Sequence, residues 1–376
     1  MSRLSIGYHV GTLACIVFFA LLLRTRTSPQ TSLEAMYPDS LEYAHGAIAL
    51  LRGHYPGEWD GPAWRPHYPP GFSLLLVPAV AIGGLNGAGW VPWISALVLS
   101  GIGAALAVRL GGFRAGPLAV LSLLSPAWSQ ILGIVVLSDV PAATLTLLQV
   151  ALLALGRGGV AWFLAGVVGG SVIWVRSALA LLVLAGLAGV SALPQWRRAA
   201  CVYTLGASLP ILALGLWQWA SFGAPWKSSY DTATVVVYHT GVAVPRSAWF
   251  DLKYLVNPPA YAEPRFLFSR ALPNTVAYCL DLLGVEQGLV LPGIGILGLV
   301  GGWYFARERG APGVVGRFGG GALLATLAIA LPYHYQHPRL VLVPATLLSI
   351  MGSAIIGRWL SSRATKPSKR SRRNVM

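Results

Sequence analysis

Long apolar runs dominate the chain, and most polar residues lie in the breaks between those runs. A run of about 20 apolar residues matches a helix that crosses the hydrocarbon core of a membrane. These runs are rich in Leu, Ala, Val and Gly, and small residues let helices pack closely in lipid. The pattern predicts an all-α polytopic membrane protein with about ten transmembrane helices, over Ser5–Leu23, Trp90–Val108, Pro117–Gly133, Val140–Leu155, Val160–Val175, Ser177–Leu193, Ala200–Ala220, Gln287–Ala306, Phe318–Leu331 and Leu340–Ile356.

An eleventh apolar run, Pro70–Leu85, is shorter than the others and is interrupted by Pro78. It could cross the membrane, re-enter it or lie at the interface. Arg3 and the basic C-terminal tail both favour cytoplasmic chain ends. Two cytoplasmic ends require an even number of crossings, and ten helices satisfy this if the eleventh run does not cross. Ser5–Leu23 is predicted to be an uncleaved first helix, because no small-x-small cleavage site follows it.

The composition excludes an ordinary soluble domain. Only 10% of the residues are charged and 55% are hydrophobic, whereas soluble domains carry about 25% charged residues. In the ten-helix topology, sixteen of the 27 Lys and Arg residues fall on cytoplasmic segments with a single acid, Glu308. The net charge of +15 therefore marks orientation and not a nucleic-acid partner. We predict a multi-pass protein of the inner (plasma) membrane.

The connections between the predicted helices are unequal in length. The cytoplasmic ones are minimal, whereas the outer segments 24–89 and 221–286 are long and rich in Pro, Trp, Tyr and charge. Loops of this length usually carry function. We therefore expect one membrane-embedded domain over 1–356 with its chemistry at the outer face. Residues 357–376 are predicted to be a disordered basic tail that is drawn to anionic lipids.

The first outer segment contains an acidic helix start. Asp39, Glu42 and Tyr43 follow Pro38 at i, i+3 and i+4, which places them on one face of a short helix. An acid at this position could act as a general base or a metal ligand. It could equally serve as an N-cap that satisfies free backbone donors.

Two further charges lie in very short breaks between apolar helices. Asp139 stands in Leu137-Ser138-Asp139-Val140-Pro141, and Arg176 is the only charge between Arg157 and Arg197. A charge at this depth is costly unless it faces a wet cavity, a partner or the interface. Asp139 could also cap a helix, and Arg176 could either snorkel to the surface or bind an anion such as a phosphate.

The remaining polar clusters lie in the outer segments. The first contains Arg65, His67 and Tyr68, and the second contains Lys227 and Tyr230. The last outer turn holds His334, His337 and Arg339, where an interfacial aromatic belt is favoured over a metal site and Arg339 is a candidate anion contact. No nucleotide-binding loop, dinucleotide fingerprint or nucleophile elbow occurs.

In their order along the chain, these motifs resemble the GT-C membrane glycosyltransferases, the broad group with protein mannosyltransferases and aminoarabinose-lipid A transferases. The chain is most similar to bacterial family-39-like members over about residues 5–356. The resemblance rests on Asp39 after the first helix, the His67–Gly71 turn, Asp139 in the second acidic turn, Arg176, Phe222–Pro225 with Tyr230, and His337-Pro338-Arg339 before the last helix. Asp39 is not followed by a second acid, so the dyad of protein mannosyltransferases is absent.

The resemblance implies a GT-C-like fold and an inverting transfer of a sugar from a polyprenyl-phosphate donor to an acceptor hydroxyl or amine. Asp39 and Asp139 would be the catalytic acids, with Asp39 as the base. The donor phosphate would meet Arg176, Arg339 and Lys227. The substrate-binding residues would be Glu42, Tyr43, Arg65, His67, Tyr68, Tyr230 and His337.

Two points stay open on the sequence. Asp39 and Asp139 could together hold a divalent cation such as Mg²⁺ or Mn²⁺, or Asp139 could merely orient an arginine or the acceptor. The alternative function is a polytopic lipid or solute transporter, such as a flippase. That alternative predicts working charges at the membrane midplane and internal repeat symmetry, whereas the charges here cluster at one surface.

Overall fold

The structure, a computed structural model, describes residues 3–26, 38–53, 68–225, 234–236, 243–245, 264–283, 289–330 and 338–364. These residues are almost entirely helical, as the apolar pattern predicted. The described helices are α1 (Arg3–Arg26), α2 (Pro38–Leu51), α3 (Gly71–Gly83), α4 (Trp90–Gly111), α5 (Ala115–Leu124), α6 (Ala127–Leu132), α7 (Asp139–Leu155), α8 (Gly158–Val175), α9 (Leu182–Val190), α10 (Trp196–Phe222), α11 (Pro264–Leu283), α12 (Ile294–Ala306), α13 (Ala311–Ala330) and α14 (Leu342–Ala364). Two short antiparallel strands, β1 (Thr234–Val236) and β2 (Ala243–Pro245), pair Val235 with Val244.

Among the residues that the structure describes, five helical segments are long and apolar enough to cross a membrane. Large apolar side chains stay exposed along such helices, for example Leu205, Leu212 and Leu216 on α10. Exposed apolar surface on this scale is normal against lipid and unusual against water. The chain is a multi-pass membrane protein, and its candidate spans are Ile6–Thr25, Gly71–Gly111, Gly158–Val175, Trp196–Ser221 and Arg339–Arg363. The count of ten crossings stays a prediction.

Three of the predicted apolar runs are divided or form shorter helices in the structure. The run Pro117–Gly133 is divided into α5 and α6, because Pro126 adopts an extended conformation with ψ of 139° and has no N–H to continue the helical ladder. The run Ser177–Leu193 gives a 3₁₀ turn and the nine-residue α9. The described part of the run Gln287–Ala306 begins at residue 289 and becomes helical at Ile294, after Gly293 with a φ of 78°.

The two long segments predicted as outer loops contain helices. Within 24–89, α2 and α3 are the short helices expected there. The 13 residues of α3 would rise about 20 Å, less than the hydrocarbon thickness of about 30 Å. Within 221–286, the 20-residue α11 was not predicted. Its sequence is a poor apolar run, because Pro273 lies inside it and Asn274 and Asp281 belong to its buried face.

Small residues bring the helices into close contact. At Gly166 of α8, an added Cβ would lie 2.0 Å from the carbonyl oxygen of Tyr203 on α10. At Gly298 of α12, it would lie 2.3 Å from the carbonyl oxygen of Leu348 on α14. Backbones at this separation accept no side chain, so glycine is required at both contacts.

Packing brings distant parts of the chain to one end of the bundle. Helix α2 packs on α3, α3 contacts α8, and α7 packs on both α8 and α14. The first turns of α2 and α7, the end of α8 and the turn before α14 thereby come together, and these positions carry Asp39, Asp139, Arg176 and Arg339.

Candidate active site

The first acid–arginine pair joins two helices that lie near the beginning and the end of the sequence. Asp39 lies in the first turn of α2, and Arg339 lies in the 3₁₀ turn Pro338–Val341 before α14. Arg339 Nη1 donates a hydrogen bond to Asp39 Oδ2 over 3.4 Å, across 300 residues of sequence. The side chains of Asp39 and Arg339 are 21% and 18% exposed. Both can therefore reach a ligand at this surface.

The second pair is more deeply buried. Asp139 begins α7 and Arg176 follows the last residue of α8. Arg176 Nη1 lies 2.9 Å from Asp139 Oδ1, and the Asp139 side chain is only 1% exposed. Among the described residues, neither Asp139 oxygen accepts a well-aligned hydrogen bond. The carboxylate thus depends on the Arg176 charge and on the positive N-terminal end of α7.

A hydroxyl contact links the two pairs. The Tyr43 hydroxyl lies 3.2 Å from Ser138 Oγ, and both atoms are buried. Arg176 Nη1 also donates to Ser138 Oγ over 3.4 Å. Tyr43 and Asp39 are four residues apart on α2 and share one face of it. The helix that carries Asp39 is therefore tied to the turn that holds Arg176.

The turn before α3 packs around the same tyrosine. The Tyr68 ring centroid lies 4.7 Å from that of Tyr43, and Phe72 meets Tyr43 edge-on at 4.8 Å. The backbone N–H of Tyr68 donates to Glu42 Oε1 over 3.2 Å. Ser73 Oγ donates to the Tyr43 carbonyl over 3.1 Å. These contacts fix the position of α2 beside α3.

Glycine is required where this turn meets α8. A Cβ added at Gly71 would lie 2.5 Å from the carbonyl carbon and oxygen of Trp174. Trp174 lies two residues before Arg176. The close contact between Gly71 and Trp174 therefore fixes the position of the end of α8, from which Arg176 extends. Close packing next to the site thus explains the glycine in the Pro69-Pro70-Gly71 sequence.

Seven of the twelve predicted site residues lie in the described part of the chain. Side-chain contacts and helix α2, which carries three of them, group them in one cluster: Asp39, Glu42, Tyr43, Tyr68, Asp139, Arg176 and Arg339. Their roles stay predictions. The other five lie outside the described residues: Arg65, His67, Lys227, Tyr230 and His337. Ser138, Phe72 and Ser73 join the cluster and were not predicted. Ser138 could have been predicted from its place next to Asp139. The contacts that Phe72 and Ser73 make with Tyr43 have no signal in the sequence.

The described residues do not by themselves fit a divalent-cation site. Among them, no three His, Cys, Asp or Glu side chains lie close enough together to hold a metal ion. Asp39 and Asp139 each contact a guanidinium, which occupies the carboxylate edge that a cation would need. No catalytic step is therefore routed through a metal, and a divalent cation stays one of the two alternatives that the sequence left open.

Comparisons of sequence give no assignment, because no protein-family model and no curated protein matches the chain. Solved structures do match. ArnT from Cupriavidus metallidurans in the apo state is 16% identical with a TM-score of 0.57, over 98% of this chain and 62% of ArnT. The same protein bound to undecaprenyl phosphate is also 16% identical, with a TM-score of 0.55, over 92% of this chain and 60% of that one.

An archaeal structure matches over a similar share of the chain. The oligosaccharyltransferase AglB from Archaeoglobus fulgidus, in complex with an inhibitory peptide and a dolichol-phosphate, is 14% identical with a TM-score of 0.54. It is matched over 95% of this chain and 52% of its own length. The chain thus spans only about half to three fifths of these proteins. At such low identity the likeness concerns the fold, and it agrees with the resemblance predicted from the sequence: the chain has the GT-C-like fold of a polytopic membrane protein.

Proposed function

We propose that the chain is an inverting glycosyltransferase that moves a sugar from a polyprenyl-phosphate donor to an acceptor hydroxyl or amine at the extracytoplasmic face. One observation carries the proposal: two acid–arginine pairs lie together at one end of a GT-C-like bundle, where the Tyr43–Ser138 contact ties the helix of Asp39 to the turn that holds Arg176. An acid can take a proton and an arginine can bind a phosphate, which are the two groups that this reaction needs.

The difference in exposure supports different roles for the two acids. Asp39 is 21% exposed and lies at the surface of the cluster, whereas Asp139 is 1% exposed. A general base must reach the proton that it removes. Asp39 is therefore the proposed base, and Asp139 is the residue that orients Arg176.

The proposed reaction is a single displacement at the anomeric carbon of the sugar. The acceptor oxygen attacks the anomeric carbon as Asp39 takes its proton, and the bond between that carbon and the phosphate oxygen breaks. The electron pair leaves with the polyprenyl phosphate, which gains one negative charge. Arg176 and Arg339 would stabilise this charge as it develops, so their effect is larger in the transition state than in the bound donor. Lys227 would add a third cation.

The lipids bound to the structural neighbours support the donor class. ArnT was solved with undecaprenyl phosphate, and AglB with dolichol-phosphate and an inhibitory peptide. Both lipids are polyprenyl phosphates. A lipid phosphate of this class is therefore the proposed donor carrier.

A transporter of lipids or solutes is the competing function. A transporter would need functional charged residues within the bilayer. Among the described residues, the pairs Asp39–Arg339 and Asp139–Arg176 lie at helix ends, and Glu308–Arg358 lies near the C-terminal end of α14. Inside the bundle, the buried Gln149 and Tyr203 are an uncharged pair, an amide and a phenol joined by a 2.7 Å hydrogen bond. This distribution favours the enzyme.

The test is transfer of labelled sugar in membranes that contain the full chain, with a panel of undecaprenyl-phosphate sugars as donors. Asp39→Asn should abolish product formation. Glu308→Gln is the matched control, because Glu308 is also paired with an arginine, Arg358, over 3.0 Å but lies outside the cluster. Full transfer by Asp39→Asn would exclude Asp39 as the base. Donor translocation without product would favour the transporter.

A further inference from the structure

A groove lies between α12 and α14, near the C-terminal ends of both helices. Its walls are aromatic and apolar, with a guanidinium among them. It is lined by Val300, Trp303, Tyr304, Ile355, Arg358 and Trp359. Trp303 and Trp359 are 62% and 50% exposed. Tryptophan is enriched where a helix meets the headgroup layer of a membrane, so the groove has the composition of that layer.

Two arginines are held over the tryptophan rings of this groove. The Arg307 guanidinium carbon lies 3.4 Å from the Trp303 ring centroid, and that of Arg363 lies 4.0 Å from the Trp359 ring centroid. In the described part of the chain, neither arginine has an acidic partner, whereas Arg358 is paired with Glu308. The groove is therefore cationic, and cation–π contacts hold its two uncompensated charges on either side.

An apolar stripe leads away from these charges along α12. Ile296, Leu299, Val300 and Trp303 are 54%, 42%, 54% and 62% exposed. Their spacing of three, four and seven residues places them on one face of the helix. Such a face is suited to an acyl chain and has no counterpart in a free phosphate ion. The stripe and the arginines together fit a ligand with an anionic head and an apolar tail.

The groove lies one membrane thickness from the candidate active site. From Arg339, in the site, to Arg358, in the groove, the helical turns of α14 rise about 30 Å, which is the thickness of the hydrocarbon core. We infer that this groove binds an anionic phospholipid of the leaflet opposite the active site, with the phosphate between Arg307 and Arg363 and an acyl chain along the stripe. This inference does not depend on the proposed function.

The test uses the full chain in detergent and measures retained lipid by native mass spectrometry. The probes are phosphatidylglycerol, phosphatidylcholine with the same acyl chains, and inorganic phosphate. Arg307→Gln with Arg363→Gln removes the two charges, and Arg157→Gln with Arg198→Gln removes two charges elsewhere. All four arginines are exposed, so both double variants should fold.

Phosphatidylglycerol should be retained in preference to the other two probes. The groove variant should weaken its retention about fivefold for each guanidinium removed, from the usual contribution of a basic residue near an anionic surface, and the control variant should not. Trp303→Leu should also weaken it, because it removes a ring that holds Arg307. Equal loss in the control would mean diffuse attraction, and unchanged retention in the groove variant would also overturn the inference. So would equal binding of phosphatidylcholine or of inorganic phosphate.

Discussion

Arg176 Nη1 lies 2.9 Å from Asp139 Oδ1, yet the two side chains differ in their access to solvent, at 16% and 1% exposed. The buried partner is the acid, and the partially open one is the guanidinium. A carboxylate in this position can hold the arginine but cannot itself meet a large substrate. The arginine keeps an edge free to meet an anion. Because the two side chains differ in exposure, substitutions of Arg176 and of Asp139 should have different effects.

Removing Arg176 should destabilise the protein more than removing Asp139. Arg176→Gln leaves a fully buried carboxylate without its counter-charge, which costs about 3–5 kcal/mol in a buried pair. Asp139→Asn leaves a guanidinium that still reaches solvent, so the cost should fall below that range. Thermal unfolding in one detergent would compare the two variants. Equal loss of stability would contradict the inferred asymmetry.

The double variant separates stability from catalysis. Asp139→Asn with Arg176→Gln removes both charges and leaves two neutral amides, so most of the stability lost in Arg176→Gln should return. Sugar transfer should not return, because no cation remains at this point to meet the phosphate. A double variant that is stable and fully active would show that the pair is only structural.

The bridge between Tyr43 and Ser138 should behave as one unit. Tyr43→Phe keeps the ring contacts with Tyr68 and Phe72 but removes the hydroxyl, which should cost about 1 kcal/mol of stability. Ser138→Ala also removes the contact of Arg176 and should reduce transfer further. A double-mutant cycle should show that the effects are less than additive. Strict additivity would show that the 3.2 Å contact contributes nothing.

Much of the architecture could be predicted from the sequence because hydrophobic length is a direct physical requirement of the bilayer. Trp90–Val108 and Val160–Val175 lie within α4 and α8. The errors occur where local chemistry overrides apolarity. Pro126 divides one predicted helix, and in α11 the buried face carries Asn274 and Asp281, which a hydropathy pattern reads as loop.

The charged members of the site could be predicted because charge is rare in this chain and costly near lipid. Asp39, Asp139, Arg176 and Arg339 all lie in the cluster. Their pairing could not be predicted, because it depends on how α2, α7 and the turn before α14 pack. The same holds for Ser138, since a serine before a helix has many ordinary roles and only its contacts with Tyr43 and Arg176 distinguish it.

Gly71 should tolerate no side chain. In Gly71→Ala, the new Cβ would meet the Trp174 backbone at 2.5 Å, so α3 and α8 must separate beside Arg176. We expect lower stability and at least a tenfold loss of transfer, the order of effect that misplacement by about 1 Å can produce. Gly101→Ala in α4 is the matched control, because no atom outside its own stretch of helix lies within 4 Å of its Cβ position. Alanine also favours a helix there. Wild-type transfer by Gly71→Ala would show that the contact does not position Arg176.

The orientation of the chain can be tested without any knowledge of the reaction. A reporter that works only outside the cytoplasm should be active when fused at residues 60 and 250. A reporter that works only in the cytoplasm should be active when fused after Ala364. Both expectations follow because the basic residues are concentrated on the segments predicted to be cytoplasmic. A fusion at residue 112, in the short turn between α4 and α5, is an internal control for the cytoplasmic side. A cytoplasmic signal at residue 60 would exclude an extracytoplasmic active site.

Arg339 should depend on the shape of its side chain as well as on its charge. Arg339→Lys keeps one positive charge near Asp39 but removes the planar fork that can contact the Asp39 carboxylate and a phosphate at the same time. We expect kcat to fall by at least tenfold, with a smaller change in KM, because the second contact strengthens as charge develops on the leaving phosphate. Arg317→Lys is the control, since Arg317 donates to the backbone carbonyls of Ala306 and Ser191, away from the cluster. It should lose stability and keep its turnover. If Arg339→Lys raised only KM, Arg339 would bind the donor without assisting the departure of its phosphate.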